Sequence, residues 1–201
     1  MLKIASHNSF SYLPVRRWWM KPFAWMARCQ EIGVYDQFHM GIRLYDLRVR
    51  VKKETATICH GLMEYKGRVY GLLDALDDWS AMHNTPVYVR VVLEKKKPSD
   101  EDKRQFKLFC EEIKDYYDII FFGGNDRSDW GCKHPIYDFG NPIPDIDHKY
   151  SSTTTLFPKG WKWLAFIDDL CPIFYAKRHN KENIEKGTSH EWLMIDFVDI
   201  T

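Results

Sequence analysis

The sequence predicts an α/β fold, a short or incomplete (β/α) barrel of the TIM type, in one domain over residues 1–201. Three observations carry this expectation. Apolar, β-branched runs of strand length alternate with segments of helical periodicity, the pattern of βαβ units and a mainly parallel sheet. His7, Arg48, His60, Glu94 and Asp196 fall at or near the C-terminal ends of expected strands, and in a barrel of parallel strands those ends share one rim. No internal repeat, low-complexity tract or linker divides the 201 residues, and because a typical barrel needs roughly 250, one or more strands or helices should be missing.

Taken in order, Leu2 to Ser6 is a short apolar strand that ends on His7-Asn8, and 9–13 is a loop. Pro14 to Ile32 reads as a helix interrupted near Pro22, carrying Arg16, Arg17, Trp18, Trp19, Lys21, Phe23, Trp25 and Met26. Basic residues beside Trp mark a membrane-interface helix. The alternative, preferred because a Pro-broken helix makes a weak anchor, is that the Trp residues pack on the barrel or pair with a second copy. Gly41 to Gly61 follows as two strands joined by the charged turn Lys52-Lys53-Glu54. Its period-two pattern puts Leu44, Asp46, Arg48 and Arg50 on one face and Tyr45, Leu47, Val49 and Val51 on the other. Burying Asp46 and Arg48 unpaired would be costly, so this polar face is either a site or a wet sheet surface.

Val69 to His83 has helical spacing through Leu72, Leu73, Leu76 and Trp79, and Asn84-Thr85-Pro86 ends it. Val87 to Leu93 is a buried strand that stops at Glu94, and 95–97 is a solvated basic run. Ser99 caps a helix running to about Tyr116, with acidic residues in its first turn as the dipole prefers. Residues 118–124 form another strand with a glycine stop. Residues 125–155 are too long for a plain connection and read as a functional loop or irregular structure. Trp161 to about Arg178 looks helical with a break at Pro172, and Glu191 to Val198 is a last strand with Asp196 inside its apolar run.

Composition narrows the function classes. A net charge of +1 offers no global field for nucleic acid or an anionic membrane. The five cysteines are odd in number and lack framework spacing, which favours reduced thiols. The opening MLKIASHNSF runs straight into a strand and a polar turn without a leader, and no apolar run approaches the roughly 20 residues that span a bilayer, so a cytoplasmic protein is expected.

Three pieces in order, SHNSFSYL at 6–13, Gln37-x3-GIRLYDLR ending at Arg48 and CHG at 59–61, together with MIDF at 194–197, resemble the catalytic X domain of phosphatidylinositol-specific phospholipase C of the bacterial, metal-independent type. The resemblance spans residues 4–94 well and 190–198 moderately. It implies attack of an inositol hydroxyl on the neighbouring phosphodiester, giving a cyclic inositol phosphate and a released diacylglycerol or glycerol. It assigns His7 as general base, His60 as general acid, Asp46 as support for the acid, Asp196 as the group orienting the base, and Arg48 as the phosphoryl-stabilising cation. Asn8 and Glu94 look like ligands of the calcium-dependent relatives and are expected here on the substrate side, with pairing to Arg48 or Arg90 the alternative for Glu94, and Arg127 and Trp130 are substrate-binding candidates by position in the long loop. The calcium-dependent relatives place acidic ligands around this strand, but here Arg48 stands where one of them would. The implied cofactor is therefore none, with calcium as the alternative. The expected partner is a phosphoinositide or a soluble phosphodiester, with possible peripheral membrane contact and no nucleic acid. A metal-dependent glycerophosphodiester or sphingomyelin phosphodiesterase, and a non-catalytic phosphate-binding barrel, are the competing readings.

Overall fold

In the computed structural model, which describes residues 2–150 and 172–200, the chain forms a curled sheet with helices on its outer face. Strand β1 (Lys3–Ser6) leads through a 3-10 segment (Trp18–Met26) and helix α1 (Val34–His39) to β2 (Leu44–Lys52). Strands β3 (Thr55–His60) and β4 (Met63–Glu64), helix α2 (Val69–His83), β5 (Tyr88–Leu93), helix α3 (Asp100–Tyr116) and β6 (Ile120–Asp126) follow. Strand β7 (Ile146–Lys149), helix α4 (Pro172–Lys186) and β8 (Trp192–Ile195) complete it. The barrel strands lie in the order β6-β5-β2-β1-β8-β7, and every neighbouring pair is parallel. Among the described residues no pairing joins β6 to β7, so the described strands form a curled half-barrel.

The long strand β2 is shared. Leu44 and Tyr45 pair with β1, while Val49 to Lys52 turn away to pair antiparallel with β3. The β2–β3 turn places Lys53 and Glu54 at φ 47° and 63°, the two positive values that match the twist of a tight hairpin. The alternation expected of β2 is realised: Tyr45, Leu47, Val49 and Val51 face the helices in the main core. Against them pack Leu73 and Leu76 of α2 and Phe106, Phe109, Cys110 and Ile113 of α3, a stripe at helical spacing. Helix α3 starts where Ser99 was expected to cap it: the Ser99 hydroxyl accepts from the Asp102 N–H, and the Asp102 carboxylate reaches back to the Ser99 N–H. Inside the curl, Ala5, Leu44, Phe122, Trp192 and Met194 form a small apolar plug toward the N-terminal ends of the strands. Burying this plug leaves the polar residues one step further along each strand as the next layer.

Several expectations are corrected. Pro14 to Ile32 is not an α-helix, because Pro22 cannot donate to an α-helical turn and only the 3-10 segment forms. The tryptophans do not pack on the barrel: Trp18 is 73%, Trp19 53%, Phe23 53% and Trp25 50% exposed. Strand β6 runs through its glycines instead of stopping there. Gly123 and Gly124 adopt φ 88° and 67°, and the register with β5 shifts at Val91/Val92, so the pair forms a bulge. Strand β7 lies inside the stretch read as loop. Its polar sequence gives only a short alternation, Ile146, His148 and Tyr150, as a strand signal, and pairing with β8 imposes the conformation. Helix α4 is described from Pro172 onward; residues 161–171 of the expected helix, and with them the expected break on reaching Pro172, lie outside the described residues. No described helix is long and apolar enough to cross a membrane.

Candidate active site

The polar layer above the plug begins with the β1–β8 ladder. His7 extends β1 by one hydrogen bond, its N–H donating to the Ile195 carbonyl at 3.0 Å. The Gln30 amide fastens the same joint, donating to the carbonyls of His7 (3.0 Å) and Ile195 (3.2 Å). Asn8 and Phe197 then turn the chain with φ 44° and 48°. Residues other than glycine occupy this region at some cost, which clusters at functional sites. Asn180 of α4 holds the second turn through the carbonyls of Asp196, Phe197 and Ile200. The two turns deliver the His7 ring to Asp196, with Nδ1 2.6 Å from Oδ1.

Arg48 meets the opposite edge of that ring. Its Nη2 donates to His7 Nε2 at 2.6 Å, its Nε to Asp46 Oδ2 at 2.8 Å, and its Nη1 lies 3.7 Å from Glu94 Oε2. A guanidinium can only donate, so Nε2 carries the lone pair and the Nδ1 proton goes to Asp196. His7 is thus a neutral imidazole held in one tautomer. Burial, with Arg48 adding to it and Asp196 pulling the other way, lowers its pKa to about 3. Asp46 is fully buried, yet Arg48, Arg90 and the Asn8 N–H at 3.1 Å outweigh burial and keep its carboxyl below the usual range. Arg48 in turn stays charged, its pKa pushed up by Asp46 and Glu94 despite burial.

His60 ends β3 across the mouth, its ring centroid 6.0 Å from that of His7 and nearly perpendicular to it. The expected support of His60 by Asp46 is not what the geometry offers. Asp46 is taken by Arg48 and Asn8, and His60 Nδ1 donates instead to the Ala27 carbonyl at 2.8 Å, which also accepts from the Tyr65 hydroxyl. Burial lowers the His60 pKa, and Arg48 adds to the shift. Glu94 sits between hairpin and loop, accepting from Gly61 N–H at 3.0 Å and pairing with Arg127 at 3.3 Å. Trp130 roofs the layer, its ring 4.6 Å from the Arg48 guanidinium. Asn8 points its amide at Cys29 Sγ, 3.8 Å away. Beside His60 and Glu94 opens a cleft of about 790 Å³ lined by Arg50, Gly61, Leu62, Lys96 and Arg127.

The structure therefore gathers His7, Asp46, Arg48, His60, Glu94 and Asp196 at one mouth, with Arg127 and Trp130 on its rim. Sequence reasoning missed Tyr150, which stacks flat on His7 at 3.6 Å and 3°. It also missed Ala27 and Cys29, which reach the site from the irregular segment. The period-two run Ile146, His148, Tyr150 was the available signal for Tyr150. For a metal, the fit is poor. Arg48 fills the space between Asp46 and Glu94 where calcium would have to lie, supplying the positive charge itself. One further donor set exists, His7, Cys29 and Asp196 within 4.8 Å, but it would require giving up the His7–Asp196 hydrogen bond.

No family model and no curated protein matches the sequence. Solved structures do match. The chain superposes on a phosphatidylinositol-specific phospholipase C from Listeria monocytogenes with a TM-score of 0.64 and 19% identity, covering 98% of this chain and 88% of that one. The corresponding enzyme of Staphylococcus aureus gives a TM-score of 0.63 at 15% identity, with 100% and 87% covered. A mutant form of the latter gives 0.63 at 14%, with 100% and 86% covered. What the chain shares with these proteins, at such identities, is their barrel-type fold.

Proposed function

We propose that the chain is a phosphodiesterase of the phosphatidylinositol-specific phospholipase C kind, opening an inositol phosphodiester by attack of the neighbouring ring hydroxyl. The observation that carries this reading is the buried chain Asp196–His7–Arg48 facing His60 at the C-terminal rim of a half-barrel. In the free site Arg48 caps the lone pair of His7. A bound phosphodiester draws the guanidinium to its anionic oxygens and frees Nε2 to take the proton of the attacking hydroxyl, while Asp196 stabilises the imidazolium. The new O–P bond forms as the P–O bond to the leaving alcohol breaks, with phosphoryl charge facing Arg48. His60 donates its proton to the leaving oxygen. Burial and Arg48 disfavour a charged His60 in the empty site, so the substrate's own negative charge loads it with that proton. The products are a cyclic inositol phosphate and a free alcohol, with the cleft beside Gly61 receiving the leaving side.

No step needs a metal, because Arg48 occupies the place of one. The exposed Trp18, Trp19, Phe23 and Trp25 support a peripheral contact with a lipid surface. Phosphorus NMR on phosphatidylinositol and glycerophosphoinositol, with and without chelator, tests the whole reading. Cyclic phosphate should appear first and at the same rate with chelator. A monoester formed with no cyclic species, or activity lost to the chelator, overturns it.

A further inference from the structure

Arg90 is a buried guanidinium that the chemistry above does not use. It stands on β5 in register with Asp46 on β2, and is 1% exposed. Where Arg48 meets two carboxylates, Arg90 meets none within 4.0 Å among the described residues. Its Nη2 donates to the Trp130 carbonyl at 2.9 Å, with Cys132 Sγ at 3.6 Å, which fixes the side chain; Nε and Nη1 have no hydrogen-bond partner. The Trp130 ring lies against both guanidiniums, 4.6 Å from Arg48 and 5.2 Å from Arg90, so one aromatic face bridges the two cations. Gly123 on the neighbouring strand makes room for it: a Cβ there would lie 3.2 Å from Arg90 Cγ and 2.9 Å from the Val91 carbonyl.

A buried charge without a partner is costly unless a ligand supplies the counter-charge. A sugar or cyclitol hydroxyl would satisfy the free N–H groups but add no counter-charge to Asp46, whose carboxylate Arg48 already engages. Phosphoryl oxygens satisfy both, and the planar guanidinium suits them. We infer that Arg90 is a second phosphoryl-binding residue beside the His7–Arg48 layer, separate from Arg48. The inference rests on reading that layer as a phosphodiester site. The phosphoryl group has two possible sources, the scissile phosphodiester or a phosphate monoester elsewhere on the headgroup.

Calorimetric titration of the full chain with myo-inositol, inositol 1-phosphate and inositol 1,4-bisphosphate separates them, using wild type, Arg90→Gln and Arg90→Lys. Arg90→Gln should weaken phosphate-bearing ligands by about tenfold or more relative to inositol, as loss of a charged hydrogen bond does. A loss already present with the monophosphate places Arg90 on the scissile group; a loss confined to the bisphosphate places it on a ring phosphate. Arg90→Lys, which keeps the charge without the fork, should fall between and guards against a misfolded Gln variant. Equal weakening of all three ligands, no weakening of either phosphate, or no phosphate binding by the wild type overturns the inference. Turnover with Arg90-independent phosphate binding removes this inference alone. Arg90-dependent phosphate binding without any turnover removes only the reaction.

Discussion

Mild acid should loosen this protein through His7. The residue is 2% exposed and held neutral, its pKa lowered to about 3 by burial, whereas in the unfolded chain it returns to about 6.5. Between those values the unfolded state binds a proton that the folded state refuses, so stability is full above about pH 6.5 and falls as pH falls. Each unit is worth about 1.4 kcal/mol, so going from pH 7 to pH 5 removes about 2 kcal/mol through this residue alone. His60, also lowered by burial, adds a loss of the same sign. Against a typical stability of about 5–15 kcal/mol, such a loss is readily measured. Urea unfolding at pH 7, 6 and 5 should be compared for wild type and His7→Gln, which cannot titrate there. The stability gap between the two proteins should move by about 2 kcal/mol in the variant's favour as pH drops. A gap that stays constant within the extrapolation error would refute the argument, because His7 would then titrate alike in both states.

His60→Ala should lose about 10²–10⁴ of turnover and regain part of it on a substrate with a nitrophenol leaving group, while His7→Ala should not. Kinetics showing the reverse rescue would exchange the acid and base. Arg48→Ala takes from buried Asp46 its hydrogen-bonded guanidinium and leaves Glu94 with Arg127 alone, so it should abolish activity and lower stability in denaturant titration, by up to about 3–5 kcal/mol. Trp18→Ser with Trp19→Ser should weaken binding to lipid vesicles while leaving the melting temperature unchanged, since neither ring is buried. Gly124→Ala should lower the melting temperature, because a Cβ at that left-handed position would run into the Tyr137 carbonyl, where the β6 bulge receives the returning loop.

The parts legible in the sequence are those set by local chemistry. Ser99 announces α3 because its hydroxyl and Asp102 can only satisfy each other at a helix start. The two faces of β2 follow from the pleat, and burial of Asp46 beside Arg48 follows from their shared face. What escaped was imposed from a distance. Strand β7 is mostly polar and takes its conformation from pairing with β8. The Ala27 carbonyl reaches His60 because Ser11 and Gln30 pin an irregular segment, and no residue type marks a backbone oxygen as a partner. The tryptophans mislead because a Pro-broken helix reads as too weak an anchor to leave aromatic rings at the surface. The distinction here lay in Pro22, which denies the segment the turns that would have carried those rings inward.

The pairing of β1 with β8 also fixes when competence can arise. His7 and Asp196 are separated by 189 residues, yet they touch. The β2–β3 hairpin is local and can form within microseconds, so Arg48 and His60 can be brought near each other early. Strand β1 has only two residues in register with β2, but four with β8. Its position is therefore settled chiefly by β8, which is synthesised after the other described strands. Closing so long a loop adds entropy cost only logarithmically, but it puts the contact among the slow, non-local ones. A nascent chain can bring Arg48 and His60 together before His7 meets Asp196, and under the proposed function recovery of turnover during refolding should report the docking of β8 rather than the collapse that precedes it.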